Sequence, residues 1–366
     1  MVTSLIVGQS VTVDGISYMG VVPNATVYQT PIISSAQVVD ALQKLISLGV
    51  SVINYSGGYD SGSTYSDYDQ ALDDKLLQYY GISFVKSAGN KGKGTGNITS
   101  PGKAYNSITV GNAMTKSTPS TAVSVPYFMH LESSFREADY LTNKPDLVAP
   151  GTKLSYVEEP NDVSSRTGTS FAAPLVAGVV AQLHQAKQTL KTNPVETKAI
   201  LLAGADYNVI SKTLDTLVDS DACEYIWEKC GVGMVNAKNS MDIALANQFY
   251  SVSKSIANLY DGMQECLNTL ILSNNTKVRI VLVYDNVDDE IDSNTGYGHN
   301  MDLHLKYCGR NCASSTLLYN NVEVLEYNIL TFDLYDIYAV YTAIDESLSD
   351  QTMHVAIAWQ ISTVSS

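Results

Sequence analysis

Two patterns of apolar and polar positions divide the chain near Phe249. Up to that point short apolar runs alternate with amphipathic stretches. Ala25–Gln29, Val50–Tyr55, Ile82–Ser87 and Asn106–Val110 read as strands. Ser35–Leu48 reads as an amphipathic helix capped by Ser34 or Ser35 and stopped at Gly49, and Tyr68–Tyr80 as a second, stopped at Gly81. Longer Ala/Val-rich helices are expected over Ser170–Leu190 and Val195–Ala203, the latter opening behind Asn193 and Pro194. Strand–helix–strand alternation implies right-handed crossovers. The predicted fold class is therefore α/β, a parallel sheet with helices on both faces. A site should lie in the loops at the carboxyl ends of its strands.

After Phe249 the period changes. Val278–Tyr284, Met301–Tyr307, Thr316–Leu318, Asp336–Tyr341 and His354–Ile361 read as short strands between polar turns, with no long helical pattern among them. This predicts a separate β-sandwich, and so a division into residues 1–249 and 250–366.

Composition narrows the function classes. A length of 366 residues suits roughly two domains. With 45% hydrophobic and 16% charged residues the chain can bury a sizeable core, which rules out wholesale disorder. Lys+Arg 22 against Asp+Glu 37 leaves a formal charge of −15. That balance argues against nucleic acid and against anionic lipid as partners, because both need clustered Lys and Arg. No apolar run approaches the ~20 residues of a membrane span; the longest candidate is Leu175–Leu183. Cys223 with Cys230, and Cys308 with Cys312, are close enough in sequence to bridge, or all five cysteines including Cys266 could be free thiols. No CxxC pair occurs, which argues against zinc. The amino-terminal MVTSLIVGQSV lacks a basic n-region and does not read as a signal peptide.

The segment richest in chemistry is Arg166–Gly178, RTGTSFAAPLVAG. Gly168 and Thr169 make a tight turn, and Ser170 stands where a buried helix begins. There its hydroxyl faces the positive end of the helix dipole, a suitable place for a nucleophile that passes through oxyanionic intermediates. Ala172, Ala173 and Gly178 are small, as a helix running close under other backbone requires. Pro174 is tolerable only near the first turn. Taken alone, Ser170 reads rather as an N-cap of a core helix.

The motif has company. GTSFAAPLVAG resembles the nucleophile motif of subtilisin-like serine peptidases, and further segments match that family in order. Gly20–Tyr28 resembles the strand after the helix that bears the catalytic histidine. Val52–Gly58 (VINYSGG) resembles the substrate-binding strand and Ser87–Asn90 (SAGN) the oxyanion-hole segment. Lys144–Gly151 resembles the run leading to the nucleophile loop and Gly231–Ala237 the closing segment of the domain. The resemblance covers about residues 1–245. It implies that Ser170 is the nucleophile and Asn90 the side-chain oxyanion donor. It implies that Ser56, Gly57 and Gly58 pair with an extended substrate, with Ala88 and Gly89 lining the opposite wall. A peptide or protein substrate and a secreted or cell-surface location follow as expectations, and the chemistry requires no cofactor.

The family also supplies an aspartate on its first strand and a histidine in an HGT turn opening a helix. Here Met1 falls directly after where that HGT would stand, and MVTSLIVG resembles the rest of the histidine's helix. His130, His184, His299, His304 and His354 are the histidines present, and none lies in such a turn. His184 follows Ser170 by 14 residues on one helix and cannot reach back to it. A processed enzyme whose amino-terminal fragment carries the aspartate and histidine, a chain whose true start lies upstream, and a peptidase-like protein that has lost catalysis all fit. The missing early strands favour the first two.

Val278–Asn286, His299–Leu305 and Asn320–Ile329 resemble the jelly-roll-like sandwich that follows the catalytic domain in some secreted bacterial subtilisins, akin to the P domain of proprotein convertases. The acidic loop Asp285–Asp292 could hold a structural calcium, with Asp285, Asp288 and Asp302 as first ligands, or be a solvated turn. The leading function is serine endopeptidase; the alternative is a non-catalytic protein that holds extended peptides along Ser56–Gly58. A lipase-type elbow fails, because Gly-x-Ser-x-Gly would need glycine at Ala172.

Overall fold

The computed structural model describes residues 1–32, 37–62, 64–92, 97–115, 127–135, 144–159, 162–206, 229–285, 299–316, 321–344 and 348–364. They form two compact units. The first comprises Met1–Thr192 and Ala205–Val235, the second Asn193–Gly204 and Asn236–Ser366.

The first unit opens with helix α1 (Val2–Val7) and a hairpin, β1 (Val11–Val13) and β2 (Ile16–Tyr18). Asp14 and Gly15 turn it with positive φ, as a two-residue hairpin loop demands. Helix α2 (Gln37–Ser47) leads to β3 (Val52–Tyr55), and α3 (Asp67–Gln78) to β4 (Ser83–Ser87). β5 (Ile108–Thr115), β6 (Tyr127–Met129) and β7 (Leu147–Pro150) complete a five-stranded sheet. β3, β4, β5 and β7 run parallel, while β6 pairs antiparallel with the end of β5. A second hairpin, β8 (Leu154–Glu159) and β9 (Asp162–Arg166), precedes α4 (Thr169–Ala186). Ile53 and Phe84 of the sheet pack with Leu42 of α2 and with Leu72 and Leu76 of α3. Helix α4 crosses β3, β4, β5 and β7, so the sheet is covered on both faces.

Three departures from the sequence reading have physical causes. Ala25–Gln29, expected as a strand, is exposed and pairs with no strand among the described residues. An apolar run becomes a strand only where a neighbour completes its ladder. Helix α4 ends at Ala186 rather than Leu190, where the chain tightens into a 3-10 turn over Gln188–Thr192. The third concerns α5 (Pro194–Ala203) and α6 (Ala237–Leu245), which the change of period placed in the first domain. They belong to the second compact unit. α5 is buried from Val195 to Ala203 because it packs on two sandwich strands and on α6.

The second unit is a sandwich of two four-stranded antiparallel sheets. β10 (Phe249–Ser255), β17 (Thr352–Thr363), β12 (Thr276–Tyr284) and β15 (Val322–Ile329) form one in that order. β11 (Gln264–Leu272), β16 (Asp333–Ala343), β13 (Asn300–Tyr307) and β14 (Arg310–Ser315) form the other. β14 follows the turn at Cys308 and Gly309, both at positive φ; of the strand expected at Thr316–Leu318, residues 317–318 lie outside the described residues. Cys266, Cys308 and Cys312 are free thiols, Cys230 is buried, and Cys223 lies outside the described residues. No described helix is long and apolar enough to cross a membrane.

Candidate active site

The carboxyl ends of β3 and β4 place two of the expected segments side by side. Tyr55 pairs with Lys86, so Ser56–Gly58 and Ser87–Asn90 leave the sheet as neighbouring walls. Glycine is required in both. A Cβ on Gly58 would stand 2.5 Å from Thr99 Oγ1, and Gly89 adopts φ +113°, a region L side chains avoid.

The turn before α4 docks against the second wall through Thr169. Its N–H donates to Asn90 Oδ1 at 3.0 Å. Its hydroxyl lies 3.0 Å from the Gly89 N–H, which donates to it, and 3.2 Å from both the Gly89 carbonyl and Asn90 Oδ1. Gly168, at φ +151°, brings the turn so close that a Cβ there would stand 3.3 Å from Asn90 Nδ2. With Oδ1 engaged by Thr169, the Asn90 amide NH2 is the group left to face a ligand, and Asn90 is exposed. Ser170 follows as the second residue of α4, where backbone N–H groups have no partner within the helix. Its hydroxyl donates to the Ser56 carbonyl at 3.0 Å, which ties the helix start to the first wall. The structure thus brings together Ser170, Asn90, Ser56, Gly57, Gly58, Ala88 and Gly89.

The floor between the walls is a part that sequence reasoning missed. The Thr99 N–H donates to the Ala88 carbonyl at 2.9 Å, and Ser100 exchanges two backbone hydrogen bonds of 2.9 Å with Tyr59. Residues 99–100 therefore span from one wall to the other. Below them lies a buried polar cluster. Asp69, in the capping box of α3, accepts from the Ser66 hydroxyl and the Ser100 hydroxyl, each at 2.6 Å, and from the Lys103 N–H at 3.0 Å. Lys103 Nζ lies 3.6 Å from the same carboxylate. Lys86 is buried beside them.

His184, the histidine on the nucleophile's helix, is buried with Nδ1 3.1 Å from Ser51 Oγ. Burial, with Lys191 adding to it, pushes its pKa down to about 4, so the ring is neutral. Ser170 makes no hydrogen bond to a histidine among the described residues.

Of the three residues expected at a calcium, Asp285 and Asp302 are described. Asp285 is buried, accepts the His354 N–H at 2.6 Å through Oδ1, and pairs with His354 Nδ1 at 2.6 Å through Oδ2. Both oxygens are thereby engaged, and Asp302 lies on β13 in the other sheet. Asp288 lies outside the described residues, among which no cluster of three His, Cys, Asp or Glu could hold a metal. The rest of the acidic loop, residues 286–292, also lies outside the described residues.

The comparisons with known proteins agree with the parallel-sheet unit. The profile of the Subtilase family matches residues 1–238. Pyrolysin of Pyrococcus furiosus is 29% identical over 227 residues, covering 54% of this chain and 16% of pyrolysin. Serine protease AprX of Bacillus subtilis is 31% identical over 198 residues, 48% of this chain and 40% of AprX. The chain thus spans less than half the length of either relative. The solved PatG macrocyclase domain superposes with a TM-score of 0.50 at 22% identity, covering 68% of this chain and 67% of that one, a likeness of fold. With the family profile extending over more than half of its length, the chain belongs to the subtilase family.

Proposed function

We propose that this chain carries the nucleophile and oxyanion hole of a serine endopeptidase. An extended peptide would lie along Ser56–Gly58 with its scissile carbonyl between Ser170 Oγ and Asn90 Nδ2. Attack by Ser170 forms a tetrahedral oxyanion, to which Asn90 Nδ2 and the Ser170 N–H donate. Collapse breaks the C–N bond, the amine leaves with the serine's proton, and water then hydrolyses the acyl-enzyme. The observation that carries this reading is the Thr169 anchor, which fixes the Asn90 carbonyl and so aims its amide at the start of α4.

The base and its orienting carboxylate would come from an upstream segment, in the same chain or as a separate fragment. A cavity of ≈ 1050 Å³ supports such a partner. Val2, Ile6, Val21, Leu42 and Ile53 line it, and it reaches Ser56 and Gly57. Among the described residues β3 is the last strand of the sheet on that side, so its outer edge could take another strand. The alternative, a peptide-binding protein without catalysis, draws on the Ser170 hydroxyl being bonded to the Ser56 carbonyl. Turnover of a peptide by the chain, alone and with the upstream segment supplied, tests the choice. The endopeptidase reading expects negligible turnover alone, since the members of a triad act as a unit, and Ser170-dependent turnover when supplied. Peptide binding without turnover in both forms would leave the alternative.

A further inference from the structure

The floor of the cleft rests on a buried cation with too little counter-charge. Lys86 points from β4 toward the two walls. A Cβ on Gly58 would stand 2.9 Å from its Nζ, and Nζ donates to Thr99 Oγ1 at 3.2 Å. Glycines on both walls converge on the same threonine, since a Cβ on Gly89 would stand 2.8 Å from Thr99 Cγ2. Thr99 itself is only half-buried, and its hydroxyl, which also donates to the Ala88 carbonyl at 3.3 Å, lies between the walls with the ammonium behind it.

That ammonium is poorly compensated. Its other hydrogen bond goes to the Ser87 carbonyl, and its third face looks at the Tyr55 ring, 5.7 Å to the centroid. Among the described residues no carboxylate lies within 4.0 Å of it. Asp69 is the carboxylate nearest in effect, and Lys103 sits 3.6 Å from it. Two buried ammonium groups therefore share one buried carboxylate under the floor. Burial pushes the Lys86 amine down to about 7, with Asp69 opposing and Lys103 adding to the fall, as expected of a cation short of a partner.

We propose that the pocket for the residue preceding the scissile bond selects a short acidic side chain, with Thr99 as its floor and Lys86 as its counter-ion. This rests on the cleft between Ser56–Gly58 and Ala88–Asn90 being the peptide site. A carboxylate placed over Thr99 supplies the missing negative charge in a desolvated setting, where a charge-assisted contact is strong. A lysine or arginine there would add a third cation. An apolar side chain would cover Thr99 and supply no counter-charge. The walls are closed by Thr99 rather than left deep, which favours aspartate over longer acids.

The test measures binding, so it needs no turnover. Fluorescent peptides identical except for a carboxyl-terminal Asp, Asn, Leu or Lys are titrated against the intact chain. All share the terminal main-chain carboxylate, so its contribution cancels. The Asp peptide is expected to bind about tenfold or more tighter than its Asn isostere, with Lys weakest. In Lys86→Met the Asp/Asn ratio should fall to within about twofold. The ratio in the unaltered chain stands by itself if that variant does not fold. Equal binding of Asp and Asn, tighter binding of Leu or Lys, or a ratio unchanged in Lys86→Met overturns the proposal while leaving the peptide site intact. Failure of every peptide to bind overturns the peptide site, and the acidic preference with it.

Discussion

At Asn90 the side-chain carbonyl is taken by the Thr169 N–H and lies within reach of the Thr169 hydroxyl, leaving the amide to act. In the proposed mechanism that amide would serve a charge that appears only in the transition state. Asn90→Ala should lower kcat by about 10²–10³, a magnitude that comes from this family rather than from this chain, and leave KM nearly unchanged. Steady-state kinetics on the complemented protein decide it; a change confined to KM would make Asn90 a ground-state contact. Ser170 and Asn90 stand out in the sequence as candidates because each lies in a contiguous motif, GTSFAAPLVAG and SAGN. Thr169 was visible only as a turn residue, because its partners Gly89 and Asn90 are distant in sequence. Thr99 and Lys86 were not legible at all. Their meaning depends on Gly58 and Gly89 approaching the same floor, which no linear spacing encodes.

Helix α4 joins the candidate nucleophile at one end to a buried histidine at the other. His184 is held neutral next to Ser51, with its folded pKa at about 4 against an ordinary 6.5. A histidine with a lowered pKa contributes stability that is fully present above pH 6.5 and lost as pH falls through about 4. The shift corresponds to a ceiling of about 3 kcal/mol. Urea denaturation should show stability falling over that window, and His184→Gln should flatten the fall; an unchanged slope would assign the loss to other groups. The elements themselves were read well where period and breakers agreed. α2 and α3 end at Ser47 and Gln78, shortly before Gly49 and Gly81, and β3, β4 and β12 lie within two residues of expectation. Period alone failed at Ala25–Gln29, where a ladder partner decides, and at α5, whose all-round burial hides which unit it joins.

For the whole molecule, the change of period near Phe249 pointed to a sandwich, and the structure shows two four-stranded antiparallel sheets, with β10 and β11 beyond the strands expected. What sequence could not assign was the allegiance of α5 and α6, since packing on β12 and β17 is a tertiary fact. The central claim concerns the first unit: Ser170 becomes a nucleophile when a base is brought to it. Its hydroxyl now donates to the Ser56 carbonyl, and an arriving imidazole would have to take that proton instead. The most direct measurement is mass-spectrometric detection of a serine-directed phosphonate adduct, with the upstream Asp- and His-bearing segment supplied in cis or as a peptide. The account predicts one adduct, mapped to Ser170, formed far more slowly without the segment and absent in Ser170→Ala. A folded, complemented protein that binds peptide but stays unlabelled, or carries its adduct at another serine, would contradict it.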